Sequence, residues 1–402
     1  MSTPSLDVPI LEASAFDVPE GMLWVAHCSD AVLPRVSREA VAAWLDLETR
    51  PWAIDWPKAL AEVVRTREAA AAVLGAEVSD LSLVPSTSTA LSEIAHAFPW
   101  REGDEVLLPL GEFPSNAWPW LAQAHRGVTV RQVPLWEGHR AGKDSALSTP
   151  PPGDADPEGA ILAALGPRTR VLAVSWARFQ DGVRLDLPRL GRACRDRGIA
   201  FLVDGIQAAG THQPDLTFVD ALAAGGQKGL LAPQGSAILY TSTAFRALIA
   251  PTGSWLSVQE GGNFQVPFTD LERPWLPDGR RLENQSCTSL QVAGLRASLE
   301  LLASAGIPAI QAHVEGLQAA LLAALSEDRA WAAEAKRLEA LRGAGRLGPV
   351  LCFHGRTWDG LMAEGTARGI WATQREGYLR LALHGWHTAA DVRRLADWLR
   401  HA

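Results

Sequence analysis

Between about residues 60 and 245, short β-rich runs alternate with helical patterns, and this alternation limits the possible architectures more than any other feature. The runs are Glu105–Pro109, Val128–Val133, Arg170–Ser175, Ile199–Val203 and Ser236–Tyr240. Each has the length and apolar content of a buried strand, and the intervals carry apolar residues at helical spacing. Such alternation predicts an α/β fold, a mainly parallel sheet between helices, with the ligand crevice at the strand carboxyl ends. One helix is well delimited: Pro188 lies near its start, Leu190 and Ala193-Cys194 form its apolar stripe, and Gly198 stops it.

After about residue 289 the pattern changes. Leu290–Ala305 and Pro308–Leu325 read as long Ala/Leu helices. Strand-like Pro349–Phe353, a helix around Trp358–Ala367, strand-like Tyr378–Leu383 and a final helix follow. That helix opens on Thr388-Ala-Ala-Asp391, a capping-box pattern. A chain of 402 residues exceeds one ordinary core. We therefore expect an N-terminal segment (1–25), a large domain (26–288) and a smaller C-terminal α+β domain (289–402). The Pro/Ser/Asp-rich stretch Asp144–Gly159 reads as a surface loop.

Composition argues against several classes. Net charge is −8, and the basic residues are scattered without a stripe, which speaks against nucleic-acid binding. The four cysteines lie far apart with no CxxC pair, so no metal-ligand spacing appears and free thiols in a reducing compartment are expected. The first twenty residues lack the basic start and apolar core of a signal peptide. No apolar run approaches the roughly 18 residues of a membrane span. A cytoplasmic enzyme is the expectation.

The chemistry gathers around a lysine, one of four in the chain. The apolar run Ile199–Val203 ends in Asp204, with Gln207 three residues on, and Lys228 follows Asp204 by 24 residues, preceded by Gly225-Gly226-Gln227. An acid at the end of a buried strand and a lone lysine beside glycines suit a lysine that forms a Schiff base. The acid would then hold the charged nitrogen of an aromatic cofactor, pyridoxal 5′-phosphate (PLP). Other segments carry further candidates. Ser86-Thr87-Ser88-Thr89 precedes a helical pattern, where hydroxyls and free N–H groups make an anion site. Glu112-Phe113-Pro114-Ser115-Asn116 is followed by Pro119-Trp120. Ser175 to Gly182 reads S-W-A-R-F-Q-D-G, and Arg380 stands inside the apolar run Tyr378–Leu383.

Together these segments resemble the class V aminotransferase family of fold type I PLP-dependent enzymes, over nearly the whole chain. That family includes cysteine desulfurases, kynureninases and isopenicillin-N-epimerase-like proteins. The resemblance implies that Lys228 holds PLP and moves protons, and that Asp204 pairs with the pyridine nitrogen. It implies that Gln207 bonds the phenolic oxygen, that Thr87, Ser88 and Gln227 serve the phosphate, and that Phe113 stacks on the ring. Arg380 would grip the substrate α-carboxylate. Arg178, where the family usually has Gln, would place an extra cation near the substrate. Ser286 loosely matches a Thr that reaches the phosphate from the other subunit of a homodimer. His27 and Asp30 align with a turn that often meets substrate, and each also has a structural reading.

Two departures stand out. Gln227 replaces a family His before the lysine and cannot carry a charge. The segment Leu361–Leu379 has no cysteine, whereas desulfurases need a mobile one there. The expected substrate is an amino acid, with transamination first as the family's broad label. A C–S lyase (α,β-elimination) is second, and epimerisation shares the scaffold. A non-catalytic homologue that keeps only the fold is the alternative from another class. A Rossmann enzyme is discounted because no strand–GxGxxG–helix fingerprint is present.

Overall fold

The computed structural model describes residues 5–284, 290–355 and 358–400. Among them, strands fall in chain order as β1 (Leu23–Trp24), β2 (Leu81–Val84), β3 (Glu105–Pro109), β4 (Thr129–Val133), β5 (Thr169–Ser175) and β6 (Ala200–Asp204). Then come β7 (Ala221–Gly225), β8 (Ala237–Thr241), β9 (Val350–His354), β10 (Ile370–Trp371), β11 (Thr373–Arg375) and β12 (Tyr378–Ala382). Seven form one sheet in the order β2-β8-β7-β6-β5-β3-β4. Only β8 runs against its neighbours. All five expected runs are strands, each within one residue of the bounds read from sequence.

Residues on β5 and its neighbours alternate between two cores. Leu172, Val174 and Phe201 face one side, while Val171, Ala173 and Leu202 face the other. Both faces are therefore covered, which is why the central strands read as unbroken apolar runs rather than alternating ones. The helix Leu187–Arg197 has Asp186 as its N-cap, accepting from Arg189 N, and ends on Gly198 at φ +66°. Helix α1 (Arg35–Glu48) and helix α2 (Trp56–Leu74) pack on Leu290–Ala305. Helix α3 (Thr87–Ala97) lies over β7, with Ser86 as its N-cap accepting from Thr89 N at 3.0 Å.

The C-terminal region carries a three-stranded antiparallel sheet, β11-β12-β9. The final helix begins as its pattern suggests, the Asp391 carboxylate accepting from Thr388 N at 2.9 Å. The N-terminal segment is woven into this region. β1 pairs in parallel with β10, Ala382 N donates to Val25 O, and the amides of Ile10 and Leu11 donate to Gly385 O. No helix of the described residues is long and apolar enough to cross a membrane.

Candidate active site

Five segments and a turn converge at the carboxyl ends of the parallel strands, around a cleft of about 260 Å³. β6 delivers Asp204 and, in the following turn, Gln207. The loop after β7 delivers Gln227 and Lys228. α3 presents Thr87 and Ser88, the segment after β3 presents Phe113 and Ser115, and β12 presents Arg380. The turn after β1 closes the near side with Cys28, Ser29 and Asp30.

Asp204 is 2% exposed and accepts from Ile206 N at 3.0 Å. Burial, seconded by the nearby Glu112 carboxylate, pushes its pKa up to about 6. Lys228 lies within the same low-dielectric space, and burial pulls its ammonium below the ordinary lysine range while Asp204 opposes that shift. Lys228 Nζ stands 5.6 Å from the centre of the Phe113 ring, and Phe179 meets that ring edge-on at 5.2 Å. The Phe113 face is thus held in a fixed orientation at the cleft wall.

Gln207 Nε2 donates to Cys28 O at 3.1 Å, while its buried Oε1 has no partner. Gln227 lends its backbone O to Ala31 N at 2.8 Å. These two bonds tie the N-terminal turn to both loops of the site. The Gly225 amide donates to Thr87 Oγ1 at 2.9 Å, leaving the threonine O–H free to donate at the start of α3. A Cβ on Gly225 would lie 2.6 Å from Gln227 Oε1, so glycine there makes room for the glutamine side chain. Ser88 and Ser115 share a 2.7 Å hydrogen bond across the mouth of the same pocket.

Arg380 is 2% exposed. Its Nη1 donates to Phe179 O and its Nη2 to Ser29 Oγ, both at 3.1 Å, and its Nε is unpartnered. Among the described residues it forms no ion pair, so a buried guanidinium faces the cleft with its charge uncompensated. Such a cation is costly unless an anion reaches it.

Arg178 departs from expectation. It does not line the cleft. Its Nε donates to Asp181 Oδ2 at 2.9 Å, its Nη2 to Leu110 O at 3.0 Å, and Glu112 stands 4.0 Å from Nη1. Two buried acids consume its charge, and the turn closed by Gly182 N to Arg178 O fixes it there. Replacing Arg178 with leucine leaves Asp181 buried without its partner and destabilises the fold by about 3–5 kcal/mol, read as a shift in the urea midpoint. Weakened substrate affinity at unchanged stability would restore a substrate role for this residue.

Ser286 lies outside the described residues. His27 is buried behind the cleft against Trp386, at 4.3 Å, and beside His384 and His387, with neither ring nitrogen bonded. Burial and the two histidines hold it far below the usual histidine range, hence neutral. Sequence reading missed Cys28, Ser29, Phe179 and Arg375 as lining residues. The Cys28 thiol contacts Thr373 Oγ1 at 3.3 Å, a pairing 345 residues apart that no local pattern reveals.

The family model for class V aminotransferases matches residues 57–339. The chain belongs to the class V aminotransferase family. It is a PLP-dependent enzyme, and its donor set fits that cofactor: an acid for the ring nitrogen, an amine for the aldehyde, an aromatic face, and hydroxyls at a helix start for the phosphate. The chain is 30% identical over 262 residues to a probable cysteine desulfurase of Methanothermobacter thermautotrophicus, a match covering 64% of this chain and 59% of that relative. It is 28% identical over 356 residues to the isopenicillin N epimerase of Amycolatopsis lactamdurans, covering 83% of each. Among solved structures, a C-DES mutant with glycine covalently linked to the PLP cofactor superposes with TM-score 0.80 at 20% identity, covering 97% of this chain and 99% of that one. A complex of the cystine C–S lyase C-DES with its product cysteine persulfide gives 0.76 at 21% identity, covering 94% and 97%. These place the chain in fold type I, as the alternating runs and the resemblance implied.

Proposed function

We propose that this protein acts on an α-amino acid, removing the Cα proton and cleaving a Cβ–S bond by α,β-elimination. The observation that carries the reading is the meeting of Lys228, Asp204 and the unpaired Arg380 on one cleft. When bound, PLP supplies an electron sink for the pair left at Cα. Arg380 takes the substrate carboxylate in its fork, which sets the amino acid at a fixed angle to the Phe113 face. Lys228, whose basicity burial depresses, takes the Cα proton. Asp204 would hold the ring nitrogen's proton, and Gln207, whose Nε2 keeps a second N–H beyond its bond to Cys28 O, would offer it to the phenolic oxygen. Thr87, Ser88 and Gln227 take the phosphate at the start of α3.

Carbon–sulfur chemistry is placed ahead of transamination because it recurs in the names of relatives and structural neighbours. The loop cysteine of a desulfurase is missing, so a simple lyase is favoured over sulfur transfer to a protein thiol. Given cysteine S-conjugates and no keto acid, the holoenzyme is expected to release pyruvate and a thiol continuously. Strict dependence on an added keto acid would instead establish transamination.

The proposal extends to a homodimer. α1 and α2 expose Val36, Leu45 and Trp56, with Trp52 between them, beside a groove lined by Trp44, Leu47, Ile54, Val63 and Val292. An apolar surface of this kind suits burial against a second subunit. Sedimentation at micromolar concentration is expected to give twice the chain mass.

A further inference from the structure

Among the described residues, the cleft contains one cation with no role so far. Arg375 lines it beside Arg380. It is exposed, and among the described residues its side chain makes no hydrogen bond or ion pair. Its position follows from the β11–β12 hairpin, in which Thr373 pairs with Arg380 and Arg375 pairs with Tyr378. Directly paired residues share a face of the sheet, as do residues two apart on one strand, so Arg375 lies diagonal to Arg380, with Cβ atoms roughly 7 Å apart. Thr373 on this face reaches the Cys28 thiol, and Arg380 reaches Ser29 and Phe179, so the shared face is the one turned to the cleft.

The hairpin tip is also anchored. Its two turn residues, Glu376 and Gly377, have φ +50° and +84°, the signs a type I′ turn requires. Glutamate is disfavoured in that region, and here its carboxylate accepts from Gln180 Nε2 of the loop after β5. The tip is therefore tied across to the other wall of the site, which holds Arg375 over the opening. The other exposed charge on the rim, Asp30, has the opposite sign and is engaged by Gln234 Nε2 at 2.9 Å.

We infer that Arg375 recognises a second anionic group on the substrate. The enzyme's preferred substrates are then α-amino acids whose side chain or leaving group ends in a carboxylate or comparable oxyanion. This rests on the reading in which Arg380 holds the α-carboxylate. A guanidinium that no protein acid neutralises, one diagonal step from the first, is a fork set for such a group.

The test pairs substrates that differ only in charge. Calorimetric titration of the holoenzyme with glutamate against glutamine, and turnover of S-carboxymethylcysteine against its amide, give two anionic-to-neutral ratios. Wild type is expected to favour the acid about tenfold, chiefly through Kd and KM. Arg375→Gln is expected to bring both ratios close to one, and Arg375→Glu to invert them. Equal affinity in wild type, or a preference that survives Arg375→Gln, overturns the inference. Binding with the expected preference but no pyruvate would sink the lyase reading alone and leave the inference standing.

Discussion

Lys228→Ala is expected to lower kcat by at least about 10³-fold, because the residue is both the attachment point for the cofactor and the base for the Cα proton. The loss should appear in kcat rather than in folding. Burial depresses the lysine's basicity, which means the fold holds this amine at a cost. Lys228→Met should therefore leave the cofactor-free protein at least as stable in thermal denaturation, while the visible absorption of added PLP no longer shifts. Retained turnover in the alanine variant would move the catalytic base elsewhere and undo the assignment.

Asp204→Asn is expected to lower kcat by about 10²–10³-fold, since asparagine cannot hold a proton on the ring nitrogen by charge. The same residue predicts a pH effect, and its sign follows from linkage. The buried carboxyl titrates near 6, above the value near 4 of an unfolded aspartate. The cofactor-free fold therefore binds the proton more tightly than the unfolded chain. Its contribution is fully present below about pH 4 and is lost as pH rises through 6, by about 2–3 kcal/mol in all. A positively charged ring nitrogen beside Asp204 removes that penalty. The gain in Tm on adding PLP should thus grow between about pH 5 and 7 in wild type and stay flat in Asp204→Asn. A gain independent of pH in both proteins would place the charge partner elsewhere.

The order and spacing of the central strands were legible because parallel strands buried on both faces need unbroken apolar runs, and five of the seven announce themselves that way. β7 did not. Its sequence is Ala221-Leu-Ala-Ala-Gly225, poor in the β-branched and aromatic residues that mark strands, and its smallness serves the close approach of α3. β2, only four residues long, was too short to stand out. Asp204, Gln207, Lys228, Thr87, Ser88, Phe113, Gln227 and Arg380 all reach the cleft; the acid and the α3 hydroxyls were marked by a strand end and a helix start, the roles of the others by the family resemblance. Arg178 misled because an arginine at a strand end looks free, and nothing local says that Glu112, 66 residues earlier, will fold back beside it. Arg375 was passed over for the opposite reason. Its role depends on hairpin register, and register is a tertiary property.

The pairing of β1 with β10 joins residues 23–24 to residues 370–371. During synthesis β1 therefore waits for a partner until residues 370–371 have left the ribosome. The turn bearing Cys28, Ser29 and Asp30 waits with it, so the pocket acquires this wall only after β10 has emerged. Contacts between such distant positions form late because closing so large a loop must precede any reward. A nascent chain halted before residue 370 would hold its lysine and acid in place on an open-sided sheet, able to meet the coenzyme before it can grip an amino acid.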